Sequence, residues 1–256
     1  MMSRSRTNKD IFVEYYSKDR RIVEFMVSAE KDAKDVLKEF VKIIEEAGVK
    51  ILELNSSVIE GKTRIFAFVD FSQALVQPVT VLERLRKAGL KANLSTKNYG
   101  GYVVDQFGFP VTTAGGTFRV VVFPAELLSR VFNSLQKQLG GPGKSLLFHL
   151  GEQYGKIIFE EQVKVLGLDK RSAVTSLLEL YSSFGMGVVE IVHADWKKGE
   201  FRIHIWDNYE SLYEGECDFT RGFLAGLFSG ALGRRLSAVE TKCRFKGDPY
   251  CEFIVS

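Results

Sequence analysis

The first hundred residues alternate between two hydrophobic periodicities, and the order of these segments is the strongest constraint on the fold. Apolar residues recur at helical spacing over residues 33–47 and 75–88, and a glycine follows each segment directly, as is common at a helix end. Shorter apolar segments typical of strands lie before, between and after the two helices, at residues 21–27, 51–54, 65–71 and 91–94. The sequence therefore predicts the order β-α-β-β-α-β.

This order is the plan of ferredoxin-like domains. Over about residues 20–95, its topology and length resemble an ACT-type regulatory domain, which implies a regulatory or dimerisation domain at residues 20–97. ACT domains that bind amino acids usually do so at a first β-α turn that contains glycine. The corresponding turn, residues 28–32, contains none. A dimerising or scaffolding domain is therefore the favoured interpretation, and an amino-acid site is the alternative.

Residues that break regular structure mark the boundary of this domain. Residues 98–116 contain five glycines and one proline, which indicates a linker to a second domain at residues 117–256. Residues 1–19 are expected to form a flexible tail, and their first ten residues lack the apolar run of a signal peptide. The longest apolar stretch, residues 222–233, is well below the roughly 20 residues that cross a bilayer. We therefore expect a cytoplasmic protein without a membrane span.

The second domain combines helices and strands. Helical spacing is found over residues 124–139, 144–157, 171–184 and 218–232. Strands are predicted at residues 118–123, 188–193, 201–206, 237–245 and 250–255. We expect a mixed α/β domain with a mainly antiparallel sheet, and an α+β class for the whole chain.

The cysteines of the chain are Cys217, Cys243 and Cys251. An odd number without a visible export signal argues against a disulfide framework, so these thiols are either buried apolar groups or metal ligands. Cys217 directly precedes the last predicted helix, where free N–H groups favour the thiolate. Cys243 and Cys251 lie on the two arms of a hairpin, around a Lys-Gly-Asp-Pro turn, so that their side chains can face each other.

Glu240 adds a carboxylate to this set. It lies three residues before Cys243, and strict strand alternation would put the two on opposite faces, so a bulge is needed if both bind one ion. Three thiolates and a carboxylate suit Zn²⁺. Because four protein ligands leave no open coordination position, we expect a structural zinc that ties the helix start to the terminal hairpin.

Sequence runs around these residues resemble the V4R (4-vinyl reductase) domain. They are Gly-Glu-Cys at 215–217, Gly-Phe-Leu-Ala-Gly at 222–226, Val-Glu-Thr-Lys-Cys at 239–243, Gly-Asp at 247–248 and Cys-Glu-Phe at 251–253. The resemblance extends back to about Phe118. In the phenol-responsive transcription activators, whose sensor domain belongs to this family, a Cys, a Glu and two further Cys residues hold zinc. The resemblance implies the same role for the three cysteines and Glu240.

The same resemblance implies a buried small-molecule pocket. The family's sensors contact an aromatic effector through a tryptophan just before a polar–aromatic–glutamate run, and Trp206 is the matching residue. His204 should share its strand face and could form a hydrogen bond with a ligand, with a core or surface histidine as the alternative. Glycines one turn apart in the last predicted helix permit close approach of a ligand or of another backbone. Phe223 and Leu227 of this helix, and Tyr154 of the second predicted helix, complete the candidate pocket.

Three functions are compatible with these features. The leading hypothesis is a non-enzymatic ligand-sensing protein of transcription regulation, which binds an apolar or aromatic small molecule as a homodimer. Because no helix-turn-helix is visible, we expect no direct nucleic-acid binding and a protein partner that carries the output. The second is an accessory protein or enzyme of tetrapyrrole vinyl reduction, although no nicotinamide or flavin motif is present. The third is a lipid-binding interaction module, since the domain is also similar to vesicle-tethering subunits that attach an acyl chain through cysteine.

Catalytic motifs are not visible in the sequence. Gly-Gly-Pro-Gly-Lys-Ser at 140–145 is not a P-loop, because Gln138 stands where the first glycine belongs and the segment joins two predicted helices. The histidines lack the paired spacing of metalloproteases. We therefore assign no catalytic residues.

Overall fold

The computed structural model describes residues 8–256, which form two compact units that divide between residues 121 and 122. Each unit has its own sheet, helices and apolar core. The elements of the first unit are, in chain order, β1 (Glu14–Tyr16), β2 (Ile22–Ala29), α1 (Ala33–Glu46), β3 (Lys50–Ile59), β4 (Lys62–Asp70), α2 (Pro78–Lys87), β5 (Lys91–Ser95), β6 (Tyr102–Val104), β7 (Thr112–Thr113) and β8 (Phe118–Arg119).

The first unit is built on a ferredoxin-like sheet. Strands β2 to β5 pair in the order β3-β4-β2-β5, and every pair is antiparallel. The helices α1 and α2 supply residues to the core on one face of this sheet. The predicted β-α-β-β-α-β order and the α+β class are confirmed.

The helix α1 forms where local signals and burial agree. The Asp32 side chain caps its start by accepting the backbone N–H of Lys34 at 2.9 Å. Gly48, just beyond its end, takes a left-handed conformation with φ 65°. Phe40 and Ile44, one turn apart on its apolar face, are fully buried. The sequence pattern and the tertiary contacts therefore specify the same helix.

The predicted linker and tail require correction. Residues 98–116 are not a free connection, because β6 pairs with β1 and β7 pairs with β8 inside the first unit. Val103 of β6 forms a second small core with Ile22 and Phe68 of the sheet, and Phe12 and Tyr15 pack against it. The burial of apolar side chains on the second face of the sheet therefore holds part of the predicted tail and of the predicted linker against the first unit. The remainder of the predicted tail, residues 1–7, lies outside the described residues.

The second unit contains a four-stranded sheet, which is antiparallel as predicted and has the strand order β11-β12-β10-β9. The elements are α3 (Ala125–Leu139), α4 (Gly141–Leu166), α5 (Lys170–Ser183), β9 (Val188–Asp195), β10 (Glu200–Trp206), α6 (Asp218–Leu232), β11 (Ala238–Lys242) and β12 (Cys251–Val255). The helix α4 is longer than predicted at both ends. The strand predicted at 118–123 is wrong in extent, because only β8 pairs, and it pairs with β7 of the first unit.

The sheet of the second unit buries one face against α5 and α6. Phe201 of β10 stacks on Phe228 of α6, with ring centroids 4.1 Å apart. Ile203 and Ile205, which alternate with polar or aromatic neighbours along β10, are also buried in this core. The period of two thus fixes which residues of β10 face the helices. None of the helices in the described part of the chain is both long and apolar enough to cross a membrane.

The helices α4 and α6 contact each other through their backbones. A Cβ atom at Gly226 of α6 would collide with the backbone carbonyl oxygen of Glu152 in α4. The same type of conflict would arise at Gly222, Gly151 and Gly155. Close approach of two helices therefore accounts for these glycines, and the partner of α6 at this stripe is a helix, not a ligand.

Candidate metal centre and ligand-binding site

Three elements bring the predicted metal ligands together. Cys217 directly precedes α6, Glu240 lies in β11, Cys243 follows β11 and Cys251 begins β12. One ligand atom from each of these residues lies within 4.8 Å of the others. The four residues therefore form a cluster that could hold a metal ion.

A β-bulge allows Glu240 and Cys243 to serve the same cluster. In the pairing of β11 with β12, Glu240 is opposite Phe253 whereas Lys242 is opposite Glu252, so one residue of β11 is unpaired. An extra residue in one strand reverses the alternation of side chains beyond it. The irregularity that a shared ion requires is thus present in β11.

The dimensions and donors of the cluster fit zinc. The Sγ atoms of Cys217 and Cys251 are 3.8 Å apart. In a tetrahedral site with Zn–S bonds of about 2.3 Å, two sulfur atoms are separated by about 3.8 Å. The Oε2 atom of Glu240 accepts the backbone N–H of Cys217 at 3.2 Å, whereas Oε1 is buried and has no hydrogen-bond partner among the described residues. A buried carboxylate oxygen without a partner, beside three buried thiols, is a donor set suited to this ion.

Without a cation, it is unfavourable for all four groups of the cluster to be ionised together. Burial raises the pKa of Glu240 to about 7, and the negative charge of Cys243 acts in the same direction. Hydrogen bonds to Cys243 and Cys251 raise the pKa of Cys217 well above its ordinary value. Hydrogen bonds from Cys217 and Cys251 lower the pKa of Cys243, so one thiolate is stabilised by two thiols. A divalent cation would replace these protons and stabilise all four groups in their ionised form.

The turn between the last two cysteines is held by its own hydrogen bonds. The backbone N–H of Cys243 donates to Oδ2 of Asp248 at 2.9 Å, and the N–H of Lys246 donates to the carbonyl of Cys243 at 2.9 Å. Gly247 has φ 100°, a conformation that favours glycine. These bonds orient the Cys243 backbone toward the cluster independently of a bound ion.

The predicted ligand-binding residues fall into two groups, and the first lies on the outer face of β10. His204 and Trp206 share this face, as alternation predicts, whereas Ile205 between them faces the core. The His204 ring stacks on Tyr250, with centroids 4.0 Å apart, and its Nε2 lies 2.7 Å from Oε2 of Glu252. Trp206 and His204 therefore face away from α6 and are not brought together with the other candidates.

The second group lies on the inner side of the sheet. Tyr154 of α4 and Phe223 of α6, with ring centroids 6.1 Å apart, line a narrow crevice at α5. Its volume is about 10 Å³, about the space of one water molecule. Leu227 is fully buried one turn beyond Phe223 and does not line the crevice. The remaining lining residues are Ile158, Leu177, Leu180, Tyr181, Phe184 and Met186.

A buried polar network adjoins the crevice at Tyr181 and was not predicted from the sequence. The Tyr181 hydroxyl donates to Oδ1 of Asn208 at 3.0 Å and lies 2.9 Å from Oγ1 of Thr220. The Glu210 carboxylate accepts the backbone N–H of Thr220 at 2.6 Å, and burial raises the pKa of Glu210 to about 8. The Tyr209 hydroxyl is buried without a hydrogen-bond partner among the described residues. Tyr181, which lines the crevice, therefore connects its apolar walls to this buried network.

The sequence contained a signal for this network. In the family resemblance, residues 207–211 identify Trp206 as the matching residue but have no role of their own. Asn208, Tyr209 and Glu210 are themselves buried, with exposures of 0%, 3% and 5%. A polar run directly after a half-buried strand, and shortly before a helix start, is where capping and interior hydrogen bonds are expected.

Residues 208–256 match the model of the V4R domain family. This match lies in the second unit, in the part where the sequence resembles the V4R domain. The uncharacterized protein MJ0150 of Methanocaldococcus jannaschii is 27% identical over 117 residues, which make up 44% of this chain and 64% of the relative. The chain thus covers slightly less than two thirds of that relative.

Two solved structures are distantly similar. One is the phenol-responsive sensory domain of the transcription activator PoxR with phenol, at a TM-score of 0.47 and 17% identity, covering 55% of this chain and 77% of that chain. The other is a trafficking protein particle complex subunit 3 from Naegleria fowleri covalently bound to palmitic acid, at a TM-score of 0.38 and 18% identity, covering 51% and 93%.

Proposed function

We propose that this protein is a non-enzymatic regulatory protein that senses an apolar or aromatic small molecule through its V4R domain. The observation that carries the proposal is the crevice at α4, α5 and α6, which has aromatic walls and is lined by Tyr181, whose hydroxyl belongs to a buried polar network. An effector with an aromatic body and a hydroxyl group matches both parts. Its body would contact Tyr154 and Phe223, and its hydroxyl would reach the polar network.

The crevice has to widen to admit such an effector. Tyr154 and Phe184, both on its rim, are 40% and 42% exposed, so their displacement disrupts few core contacts. The helices α4 and α6 are fixed to each other through backbone contact at the glycines, whereas α5 contributes side chains to the same core. We expect widening to move α5, because side-chain contacts adjust more readily than contacts between backbones. The closed and widened forms would be the two states between which an effector selects.

The tyrosines of the network are suited to a hydroxyl-bearing effector. Burial raises the pKa of Tyr181 and of Tyr209 well above the ordinary value, so both remain protonated at neutral pH. A tyrosine oxygen has one donor and two acceptor positions, and Tyr181 retains acceptor capacity beside its contacts with Asn208 and Thr220. Tyr209 lacks any partner among the described residues. A phenolic effector would satisfy groups that a hydrocarbon leaves unpaired.

Titration calorimetry of the full chain with p-cresol and with 4-methylanisole tests this proposal. In 4-methylanisole a methoxy group replaces the hydroxyl group of p-cresol. Because only p-cresol can donate a hydrogen bond, it should bind roughly 10-fold more tightly. Tyr154→Ser should weaken binding of p-cresol by roughly 10-fold, because an aromatic wall is lost. Tyr213→Ser is the matched control, since Tyr213 is similarly exposed, at 38%, and does not line the crevice. Equal affinities for both probes, or equal effects of both variants, would contradict the proposal.

Trp206 offers a direct test of where the effector binds. The family resemblance implies an effector beside Trp206, whereas the crevice lies on the other side of the sheet from it. With the effector in the crevice, Trp206→Phe should leave the affinity for p-cresol unchanged. A large loss of affinity in Trp206→Phe, with none in Tyr154→Ser, would move the site to the outer face of β10, beside His204.

The metal of the second unit is proposed to be a structural zinc ion. Cys217, Glu240, Cys243 and Cys251 would hold it and complete a tetrahedral coordination. The three cysteines are at most 1% exposed, so no substrate could reach the ion without unfolding of the cluster. When bound, the ion would join the start of α6 to the β11–β12 hairpin and thereby fix one end of the V4R domain.

The first unit is proposed to serve dimerisation or regulation, as its likeness to ACT-type domains implies. Its ferredoxin-like sheet is the supporting observation. We propose a cytoplasmic homodimer that passes the effector signal to a protein partner in transcription regulation. Chemical crosslinking of the full chain in the presence and absence of p-cresol would test this part, and an unchanged crosslink pattern would contradict it.

A further inference from the structure

The first unit carries a groove on the sheet face opposite α1 and α2. The floor is formed by β2, β3 and β4, and the walls include residues 105–116. Its volume is about 700 Å³, within the range of small-molecule sites. The groove lies wholly within the first unit, so any occupant is independent of the V4R domain.

Arg64 lies at the centre of a polar row on this floor. Ser28 of β2 and Ser57 of β3 are directly opposite Arg64 of β4, so the three side chains project from the same face. Arg64 is half-buried, and its guanidinium makes no ion pair or hydrogen bond within residues 8–256. A half-buried guanidinium that lacks an anion, with two hydroxyl groups beside it, is a recognition element for a carboxylate.

The next row of the floor is apolar over two of its three strands. Met26 of β2 is directly opposite Phe66 of β4, two residues along from the polar row, and Asn55 of β3 lies on the other side of Phe66. Phe12 packs beside Phe66, with ring centroids 6.1 Å apart, and Phe107 and Phe109 contribute to the walls. A ligand bound to Arg64 would therefore extend its body over apolar and aromatic side chains.

The wall of the groove is held in place by the side chains of Glu24, which is buried, and Asp105, which is half-buried. Oε2 of Glu24 accepts the backbone N–H of Gln106 at 3.0 Å. Oδ1 of Asp105 accepts the N–H groups of Phe107 and Gly108 at 2.8 and 2.7 Å. The groove is therefore preformed, which reduces the cost of ordering on binding.

We propose that this groove binds a small amphipathic carboxylate that carries an aromatic ring. The carboxylate would pair with the two-pronged guanidinium of Arg64, assisted by the hydroxyl groups of Ser28 and Ser57. The charges along the groove favour a monoanion over a dianion. Arg64 is the one cation among the lining residues, and the lining acids Glu60 and Asp105 disfavour a dianion such as a phosphate monoester. The ring would rest on the apolar row.

Titration of the full chain with 3-phenylpropionate and with 3-phenylpropanol tests the charge requirement. The alcohol has the same body without the carboxylate, so it should bind roughly 10- to 100-fold more weakly. Arg64→Met should weaken 3-phenylpropionate binding by a similar factor and abolish the difference between the two probes. Arg64→Lys, which keeps the charge but not the fork, should retain part of the affinity.

Arg84→Met is the matched control for these variants. It removes the same charge from an exposed position on α2, on the other side of the sheet, and should leave the affinity unchanged. Circular dichroism melts of each variant report whether the fold is retained. Absence of 3-phenylpropionate binding to the unmodified chain at millimolar concentration, or equal losses in Arg64→Met and Arg84→Met, would overturn the proposal. A shift of the oligomeric state in Arg64→Met with unchanged binding would instead assign the groove to a second copy of the chain and would also overturn it.

Discussion

Glu24 and Glu240 are both buried carboxyl groups, and they differ in what surrounds them. Glu240 lies among three thiols in a cluster that a divalent cation would stabilise. Glu24 has the backbone N–H of Gln106 on one oxygen, whereas its other oxygen is buried without a partner among the described residues. The first arrangement fits a metal ligand, and the second fits a carboxyl group that keeps its proton.

The protonation of Glu24 should make the stability of the first unit depend on pH. Burial raises the pKa of Glu24 from its usual value near 4.5 to about 8, with Asp105 acting in the same direction. The folded state then binds the proton more tightly, so the free energy of unfolding falls as the pH rises from about 4.5 to about 8. Glu24→Gln should remove this dependence and stabilise the unit at pH 9, relative to the unmodified chain, by roughly 2–4 kcal/mol.

Urea unfolding at pH 5 and pH 9, followed by circular dichroism, measures this effect. Glu45→Gln on the exposed face of α1 is the control, and its curves should follow those of the unmodified chain at both values. An unchanged pH dependence in Glu24→Gln would show that the Glu24 carboxyl is ionised in the folded state.

Loss of one thiol should remove the metal from the second unit. Cys243→Ser deletes one of four ligands in a cluster that is otherwise buried, so the expected metal content is close to zero. The free energy of unfolding should fall by at least about 3 kcal/mol, because the binding energy of a structural metal contributes to folding. Elemental analysis by mass spectrometry gives the metal content. Lys246→Ser, at an exposed position in the same turn, should keep it, and zinc retained in Cys243→Ser would exclude Cys243 as a ligand.

At the scale of elements, the contact between α4 and α6 depends on glycines of both helices. The regular spacing of Gly222, Gly226 and Gly230 in α6 is visible in the sequence, and it correctly indicates close approach. The partner is not visible, because it is set by Gly151 and Gly155 of a helix more than sixty residues away. Tertiary contacts of this kind are specified jointly by two distant segments.

Two substitutions in α6 should differ in cost although both replace glycine by alanine. At Gly226 the new methyl group would meet the backbone of Glu152, which cannot move without displacing α4, whereas at Gly230 it would meet the ring of Phe159. Gly226→Ala should destabilise the second unit by about 2–3 kcal/mol, and Gly230→Ala by less than about 1 kcal/mol, since helix propensity favours alanine. Thermal unfolding of both variants tests this difference, and equal melting temperatures would contradict backbone contact as the cause.

The elements predicted correctly are those with enough residues to display a period. The helix α6 has the predicted bounds, and the β-α-β-β-α-β order of the first unit follows from repeated apolar spacing. The strands β1 and β6 have three residues each, too few for alternation to be recognised, and they exist because they cover Ile22 and Phe68. The four residues of the metal cluster are predicted from their chemistry and spacing together with the V4R resemblance, and the structure brings them together. The sequence prediction put all the pocket candidates in one site, whereas they lie on two sides of the sheet. Alternation along β10, with Ile203 and Ile205 buried, puts Trp206 on the outer face.

For the whole molecule, an exposed apolar row on α4 of the second unit is a second candidate surface for the proposed homodimer, besides the first unit. Leu146, Leu150 and Ile157 are 53–54% exposed and recur at helical spacing on one face. If two copies associate through this row, Leu150→Glu should convert the dimer to a monomer, whereas Val192→Glu, at a similarly exposed position of β9 (47%), should not. Light scattering coupled to size-exclusion chromatography gives the mass. A Leu150→Glu protein that remains dimeric would place the interface elsewhere.

The proposals for the second unit require that it hold both a structural zinc ion and a phenolic effector, in separate sites. Native mass spectrometry of the full chain incubated with zinc and p-cresol measures both at once. We expect one zinc ion and one p-cresol molecule per chain, with the p-cresol increment lost and the zinc increment kept in Tyr154→Ser. A chain without zinc, or a p-cresol increment that Tyr154→Ser leaves unchanged, would contradict these proposals.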